Sequence, residues 1–411
     1  MKKLLLVMFI LASVSSVYAA DAASTTPSAL KISGDFYVGG NMAMNDDFVK
    51  SGKSTYSYFD YDLNLNAALK ASENATVFVR LTYDKNVIGS GKVEKVESTN
   101  QNASSSVLAV ERAYLNYKFM PSLQLDAGLM GGGQWGTLFG NTEANIMRVK
   151  LTWTAAEGMD FLAIYQKNTE QYNNITATET SENNDDNTYY LGAKMTFGPV
   201  KVQPLLSYQT RGTNYGDGVA DNELDYAKAG ADVAVYGDFG MFGFEAEVVY
   251  FTENADYAAA ATDKKEDTTS GEYVNLFLKL NPLTAGLVLA TASDNSDTQE
   301  GVYNWGKDFD VTVVMDDWCE ATLAGWTVAK LYASDIKIGS DITLGAALAY
   351  GMDNVKDGEA NFIEIDATFA YALDAQTEYS INAGYAMTDK MTAAEEKANC
   401  FAMYHGIKTK F

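Results

Sequence analysis

Histidine occurs once, cysteine twice and proline five times in these 411 residues. A histidine-based triad or zinc centre would have to be built around His405 alone, which leaves little room for enzymology of that kind. No apolar run beyond the first twenty residues approaches the roughly 20 residues that a membrane-crossing helix needs. The stretch from Leu283 to Ala292 is about as long as they get, so a helical membrane protein is excluded. Positive charge is scarce: 30 basic side chains stand against 54 acidic ones, a formal charge of -24. Nucleic acid and anionic membrane surfaces are therefore poor partners. The chain also lacks a Cys-x-x-Cys pair, an EF-hand spacing and a nucleophile elbow. Gly131, Gly132 and Gly133 have no following lysine and read as a loop entry rather than a phosphate cradle. Nothing calls for a cofactor, a metal centre or an enzyme.

What remains is a folding chain with 47% apolar and only 20% charged residues. Lys2 and Lys3 precede an apolar run from Leu4 to Leu11, and Val17, Tyr18 and Ala19 end it at a small residue. Residues 1–19 read as a secretory signal peptide, with a cut after Ala22 as the near alternative. A short periplasmic lead, 20–29, follows.

From residue 30 to 411 one pattern repeats: apolar and polar side chains alternate over about 9 to 14 residues. The clearest case sets Phe59, Tyr61, Leu63, Leu65, Ala67 and Leu69 against Asp60, Asp62, Asn64, Asn66, Ala68 and Lys70. Such a strand separates two environments. A soluble sandwich would alternate in the same way, but its connections would not. Here about 18 strands are joined alternately by tight turns and by long polar connections such as 85–106, 169–187, 253–270 and 293–324. That parity predicts a single all-β domain, a transmembrane antiparallel up-and-down barrel with short turns at one end and long loops at the other. Sixteen strands is the alternative count. The stretch Phe309 to Met315 would break the parity as a strand and is read as part of a large loop. Pro121, Pro199 and Pro282 sit at short turns, whereas Pro204 falls inside a strand and is expected to need a local bulge. Outward tyrosines (Tyr61, Tyr83, Tyr165, Tyr189, Tyr208, Tyr250, Tyr350, Tyr385) and a second row (Phe119, Trp153, Phe197, Phe242, Phe411) predict two aromatic girdles.

Several segments resemble the Gram-negative outer-membrane porins, including the general diffusion type. Leu30 to Gly40 is similar to their opening strand. Glu111 to Tyr117, followed by Leu123, Leu125 and Gly128, is similar to their fourth and fifth strands. Ile363 to Leu373, with Glu364 and Asp366 inward, resembles a late strand, and Phe411 matches the terminal aromatic read by the assembly machinery. Thr409 and His405 depart from the apolar alternation before it. The resemblance implies a homotrimer in outer-membrane lipid and lipopolysaccharide, passing small hydrophilic solutes. It also implies that the connection after strand 5 folds inward and narrows the pore. The Gly-rich entry of that connection, with Trp135, Phe139 and Glu143, suits such a path.

The expected constriction sets Arg80, Arg112 and Arg148, with Lys150 just below, against acids including Asp126 and Glu143, unless the arginines instead pair with Asp62 and Asp84. Inward acids should give a weak cation preference. A disulfide between Cys319 and Cys400 is expected in an oxidising compartment, two free thiols being the alternative. Asp185, Asp186, Asp217, Asp221 and Glu223 could hold a divalent cation bridging lipopolysaccharide, or simply be solvated. The competing functions are a substrate-selective channel for sugars or peptides and a plugged barrel acting as a structural or adhesive surface protein.

Overall fold

The computed structural model describes residues 29–45, 55–83, 108–132, 135–140, 144–169, 185–211, 223–257, 264–293, 311–318, 325–354, 360–392 and 395–411. Eighteen strands follow one another. The first nine are β1 (Leu30–Met44), β2 (Thr55–Lys70), β3 (Ala75–Tyr83), β4 (Leu108–Met120), β5 (Leu123–Gly132), β6 (Ala144–Ala156), β7 (Met159–Thr169), β8 (Asp186–Phe197) and β9 (Val200–Arg211). The rest are β10 (Glu223–Asp238), β11 (Phe242–Tyr257), β12 (Lys264–Leu280), β13 (Leu283–Ala292), β14 (Trp326–Ile338), β15 (Ile342–Asp353), β16 (Asn361–Ala372), β17 (Thr377–Thr392) and β18 (Glu395–Lys410). Each pairs antiparallel with its neighbours, and β1 pairs with both β2 and β18. The sheet is a closed barrel of 18 strands, as the parity of the connections predicts.

Closure matters because hydrocarbon offers no partner to an unpaired N–H or C=O, so a spanning sheet can have no edge. The seam is locked by the last residue. Phe411 donates its N–H to the Gly34 carbonyl at 3.0 Å, and Gly34 donates to the Phe411 carbonyl at 2.8 Å. A side chain at Gly34 would lie 2.7 Å from the Phe411 ring, closer than real contacts allow.

Alternation sorts the side chains. Leu191, Leu206 and Leu331 are exposed on the outer wall, as are Tyr165, Tyr189, Tyr208, Tyr250, Tyr350 and Tyr385 in one girdle. Phe119, Trp153, Phe197, Phe242 and Phe411 are exposed at the other rim. His405 lies on this outer phase, edge-on to Phe59 at 6.4 Å. In the short turn between β16 and β17, the N–H groups of Gln376 and Thr377 donate to Asp374 at 2.7 and 2.8 Å and hold its carboxyl below the usual carboxylate range.

Pro204 needs no bulge. Its strand stays in register with β10, Pro204 facing Val233, and the pairing with β8 steps from Gly192 and Leu205 to Met195 and Val202 without a shift. The neighbouring Gln203 carbonyl accepts from the Trp135 indole at 3.1 Å. The strand thus takes the proline without an extra residue.

Trp135 belongs to the first of two connections that fold into the lumen. Residues 135–140, after β5, cross to the far wall, where Phe139 is fully buried and stacks on Tyr273 at 5.8 Å. Glu247 of β11 holds them, accepting from the Thr137 N–H, from Thr137 Oγ1 at 2.8 Å and from the Gly140 N–H at 2.9 Å. Gly136, at φ +59°, lies so close to that carboxylate that a side chain would collide with it. The second connection follows β13. Its residues 311–318 include a π-helical turn, Val313–Trp318, held in the same way: Glu364 of β16 accepts from the N–H groups of Val314 at 2.5 Å and Met315 at 3.0 Å. Lys330 caps the Val311 carbonyl, and Tyr404 donates to that of Val313 at 3.2 Å. Both glutamates are fully buried.

Two outcomes follow from these contacts. Gly34→Val should open the seam at a cost of about 1–3 kcal/mol, read as loss of the compact, heat-modifiable band in cold SDS electrophoresis; an unchanged band and melting temperature would show that the seam tolerates the side chain. Glu247→Gln replaces one acceptor oxygen with a donor that faces other donors. Hydrogen exchange at the Thr137 and Gly140 amides should accelerate at least tenfold while the strands stay protected, and unchanged protection would mean that the loop is held by its apolar contacts alone.

Candidate functional site

The described parts of the two inward connections dock on β8 to β12 and on β14 to β18, through Gln203, Glu247 and Tyr273 and through Lys330, Glu364 and Tyr404. The strip of wall from β3 to β6 faces them. It carries the three predicted arginines.

Arg80 and Arg112 are direct cross-strand partners. Like charges placed so repel, and the repulsion is met by a carboxylate set between them. Glu111 Oε2 lies 2.8 Å from Arg80 Nε, and Oε1 lies 3.6 Å from Arg112 Nη2. Thr82 donates to the same carboxylate, Asn145 does so at 3.1 Å, and Arg112 Nε donates to Asn145 Oδ1 at 2.9 Å. Strict alternation would turn Glu111 outward beside Arg112. The register slips at that point, with Arg80 opposite Arg112 but Leu81 opposite Val110. A bulge of this kind inserts one residue and re-aims its side chain. No periodicity argument finds it, which is why the sequence reading missed Glu111 as a site residue.

Arg148 stands two strands further on. Its Nε donates to Gln166 Oε1 at 2.6 Å, and its guanidinium lies 5.6 Å from the centre of the Tyr190 ring. Between the arginine pair and the short-turn end, Phe78 and Tyr114 stack at 5.0 Å on the lumen phase. A cavity of about 240 Å³ opens beside Arg148, lined also by Gln166, Tyr190, Gln209, Lys228 and Asp232.

The other expected members fall elsewhere. Asp126 does not face the arginines across the lumen: it lies on their own wall, 3.0 Å from Lys150, and accepts from Asn116 at 2.5 Å and Gln124 at 3.2 Å. Neighbouring inward positions on β5 and β6 bring Asp126 and Lys150 together as a direct pair. Asp62 accepts from Asn64 at 2.9 Å, while the partner of Arg80 is Glu111. Trp135 is buried against the wall and anchors the loop instead of lining the passage. Glu143 and Asp84 lie outside the described residues. The acid that meets this loop is Glu247.

The disulfide expected between Cys319 and Cys400 involves a residue outside the described ones. Cys400 is buried in the apolar cluster that includes Val311, Val314 and Met315, and Cys319 is not among the described residues. Asp185 pairs with Lys167 at 2.9 Å, and Asp186 accepts from Gln209 at 2.8 Å and Asn168 at 2.7 Å. Among the described residues no cluster of three or more His, Cys, Asp or Glu could hold a metal ion. Asp217, Asp221 and the Glu223 side chain are not described.

At the level of sequence, no family model and no curated protein matches the chain. Solved structures do. A BenF-like porin from Pseudomonas fluorescens Pf-5 superposes with a TM-score of 0.60 at 10% identity, covering 93% of this chain and 99% of that one. Acinetobacter baumannii OccAB1 gives 0.61 at 12% identity over 92% and 96%. Pseudomonas aeruginosa OccK2 (OpdF), solved in complex with glucuronate, gives 0.58 at 10% identity over 93% and 98%. With so few identical residues the likeness is one of architecture, and over nearly its whole length the chain has the fold of the outer-membrane porins.

Proposed function

We propose that the chain forms a water-filled channel in the outer membrane of a Gram-negative-type bacterium, through which small hydrophilic solutes and ions diffuse without catalysis or energy coupling. The observation that carries this reading is the lumen. Two connections are drawn onto one arc of the wall by buried glutamates, and a polar, arginine-bearing strip lies across from them. Docking of both described segments along the wall favours an open passage over a plugged barrel. The homotrimer and the association with lipopolysaccharide belong to the same proposal and rest on the resemblance of the strands to the porin family.

At the narrow level, Arg80, Arg112 and Arg148 on one side, facing the two inward connections docked on Glu247 and Glu364, set up a field across the pore. A dipolar solute can align with that field, whereas an apolar one must displace ordered water and gains nothing. The acidic balance of the chain, with Asp35, Asp60, Asp62 and Glu245 on the inward phase, gives inorganic cations a weak advantage. A selective channel for small carboxylated solutes is the second reading. It is favoured by the stacked Phe78 and Tyr114 near the arginine pair, and by the structural neighbour solved with glucuronate.

In planar bilayers the protein should give stable open-channel conductance. Under a salt gradient the reversal potential should have the sign of cation preference, shrinking as salt rises and screening shortens. A reversal potential of anion sign would overturn the preference, and absence of any conductance would overturn the channel itself. Replacing Arg80, Arg112 and Arg148 together by Ala should raise conductance and shift the reversal potential further toward cations. If both quantities stay at wild-type values, the constriction lies elsewhere.

A further inference from the structure

Toward the short-turn end, one row of inward positions runs across five strands. Asp238 of β10, Gly243 of β11, Phe277 of β12, Gly286 of β13 and Tyr332 of β14 are successive cross-strand partners. Glycine and aromatic residues alternate along it, and each ring lies over the glycine beside it. A side chain at Gly243 would meet the Phe277 ring at 2.4 Å, and one at Gly286 would meet the Tyr332 ring at 2.4 Å. Rings placed so lie along the wall instead of projecting from it, with one face on the backbone and the other toward the lumen. Phe362 covers Gly351 in the same way but is fully buried, so that ring only packs. Phe277 and Tyr332 are half-buried, which leaves each a free face. Both lean in the same direction around the barrel, so the two faces stand about two strand spacings apart, or roughly 10 Å.

Polar groups border the rings. One inward step further from the short turns, Tyr236, Glu245 and Asn275 are again cross-strand partners, and all three are half-buried. Tyr332 donates to Asn275 Oδ1 at 3.1 Å and Tyr273 donates to Glu245 at 3.4 Å, which holds hydroxyl, amide and carboxylate beside the rings. The next step is the roof: Glu247 and Tyr273, to which residues 135–140 are fastened. Charges of both signs stand here: Glu245, Lys201 opposite Tyr236, and Lys279, which lies 5.6 Å from the Phe277 ring centre and pairs with Asp238 at 2.7 Å. Unlike the arginine strip, this wall favours neither sign of solute.

We infer that this wall, between the inward loop and the short turns, binds neutral pyranose sugars, singly or as short oligomers. The inference rests on the reading of the barrel as an open pore, since the wall is reached only from the lumen. A pyranose presents C–H groups on its faces and hydroxyls around its rim. The C–H face suits the electron-rich face of an aromatic ring. The rim hydroxyls both donate and accept, as do the tyrosine hydroxyls and the Asn275 amide, while Glu245 accepts. Other solutes match only part of this set. An open-chain polyol has the hydroxyls without a flat face, a planar aromatic solute has the face without the hydroxyls, and a carboxylated solute meets Glu245. Two separate platforms also suit passage, because a solute bound weakly at each of two sites is able to leave.

The test is occlusion of single-channel current in planar bilayers by maltose, with mannitol and glucuronate as comparison solutes. Maltose should reduce the open current saturably, with half-block in the millimolar range. Mannitol at equal concentration should lower it no more than its viscosity does. Phe277→Leu and Tyr332→Leu together keep an apolar cover on both glycines and remove the flat faces. The maltose concentration for half-block, read against that variant's own sugar-free current, should rise at least about fivefold. Asn275→Ala touches neither ring and serves where the leucine pair gives no heat-modifiable band; it should raise the half-block concentration about threefold. Phe277→Tyr should keep the block. Equal block by maltose and mannitol, a maltose block that these substitutions do not weaken, or a tighter block by glucuronate that they abolish would each overturn the inference and leave the channel reading standing. If the barrel does not conduct, the channel reading fails, and saturation-transfer NMR in detergent micelles reads the same contrast. Transfer to maltose but not to mannitol, lost in the variants, supports the sugar site, and its absence overturns it.

Discussion

A sheet that crosses hydrocarbon must pair every backbone donor and acceptor within itself, and the rest of this molecule follows from that constraint. It forces closure, and closure forces the first and last strands together, so that the chain's final residue exchanges two hydrogen bonds with Gly34. It also fixes which irregularities are tolerable. Pro204 removes a donor without shifting the register, and the adjoining Gln203 carbonyl takes a further hydrogen bond from the Trp135 indole on the lumen side. The bulge at Glu111 costs one ladder position and gives the lumen a carboxylate between two arginines. Both departures from regular pairing sit where the lumen, rather than lipid, can supply a partner.

Closure leaves a wide, wet interior with nothing to position a constriction, because its walls are strands and its loops are tethered only at the rim. The chain solves this twice with the same device. A glutamate on the inward phase, fully buried once the loop is in place, accepts two backbone N–H groups of an incoming turn: Thr137 and Gly140 on Glu247, Val314 and Met315 on Glu364. A carboxylate removed from water is costly unless its oxygens are satisfied. The loop therefore stabilises the glutamate as much as the glutamate fixes the loop. Apolar contacts, Phe139 on Tyr273 and Val314 in the cluster with Cys400, then exclude water from the joint.

Most of the barrel was legible in the sequence because its two determinants are periodic. Alternation along a strand and alternation of connection length are each repeated many times, so errors at single residues do not propagate. The inward course of the connection after β5 was legible for a different reason, the resemblance of the flanking strands to a known family. What escaped was local and aperiodic. Glu111 was hidden by a one-residue slip, since a strict period of two assigns it to the wrong face. The inward π-helical turn at 313–318 has no repeat to announce it, and its anchor, Glu364, sits in a strand that reads as ordinary alternation. Asp126 was placed on the correct face but given the wrong partner, because phase says which side a residue faces and not how far around the barrel its opposite charge lies.

That distinction also governs how the three arginines are held. Three arginines on β3, β4 and β6 would repel one another and splay into the lumen if left alone. Glu111 draws Arg80 and Arg112 toward a common centre, while Gln166 and Tyr190 hold Arg148 apart from them. Half-exposed ion pairs of this kind contribute little to stability, about 1 kcal/mol or less each. Their effect is geometric. They fix three cations against one wall in a chain whose net charge is strongly negative, so that the local field at this level runs across the barrel.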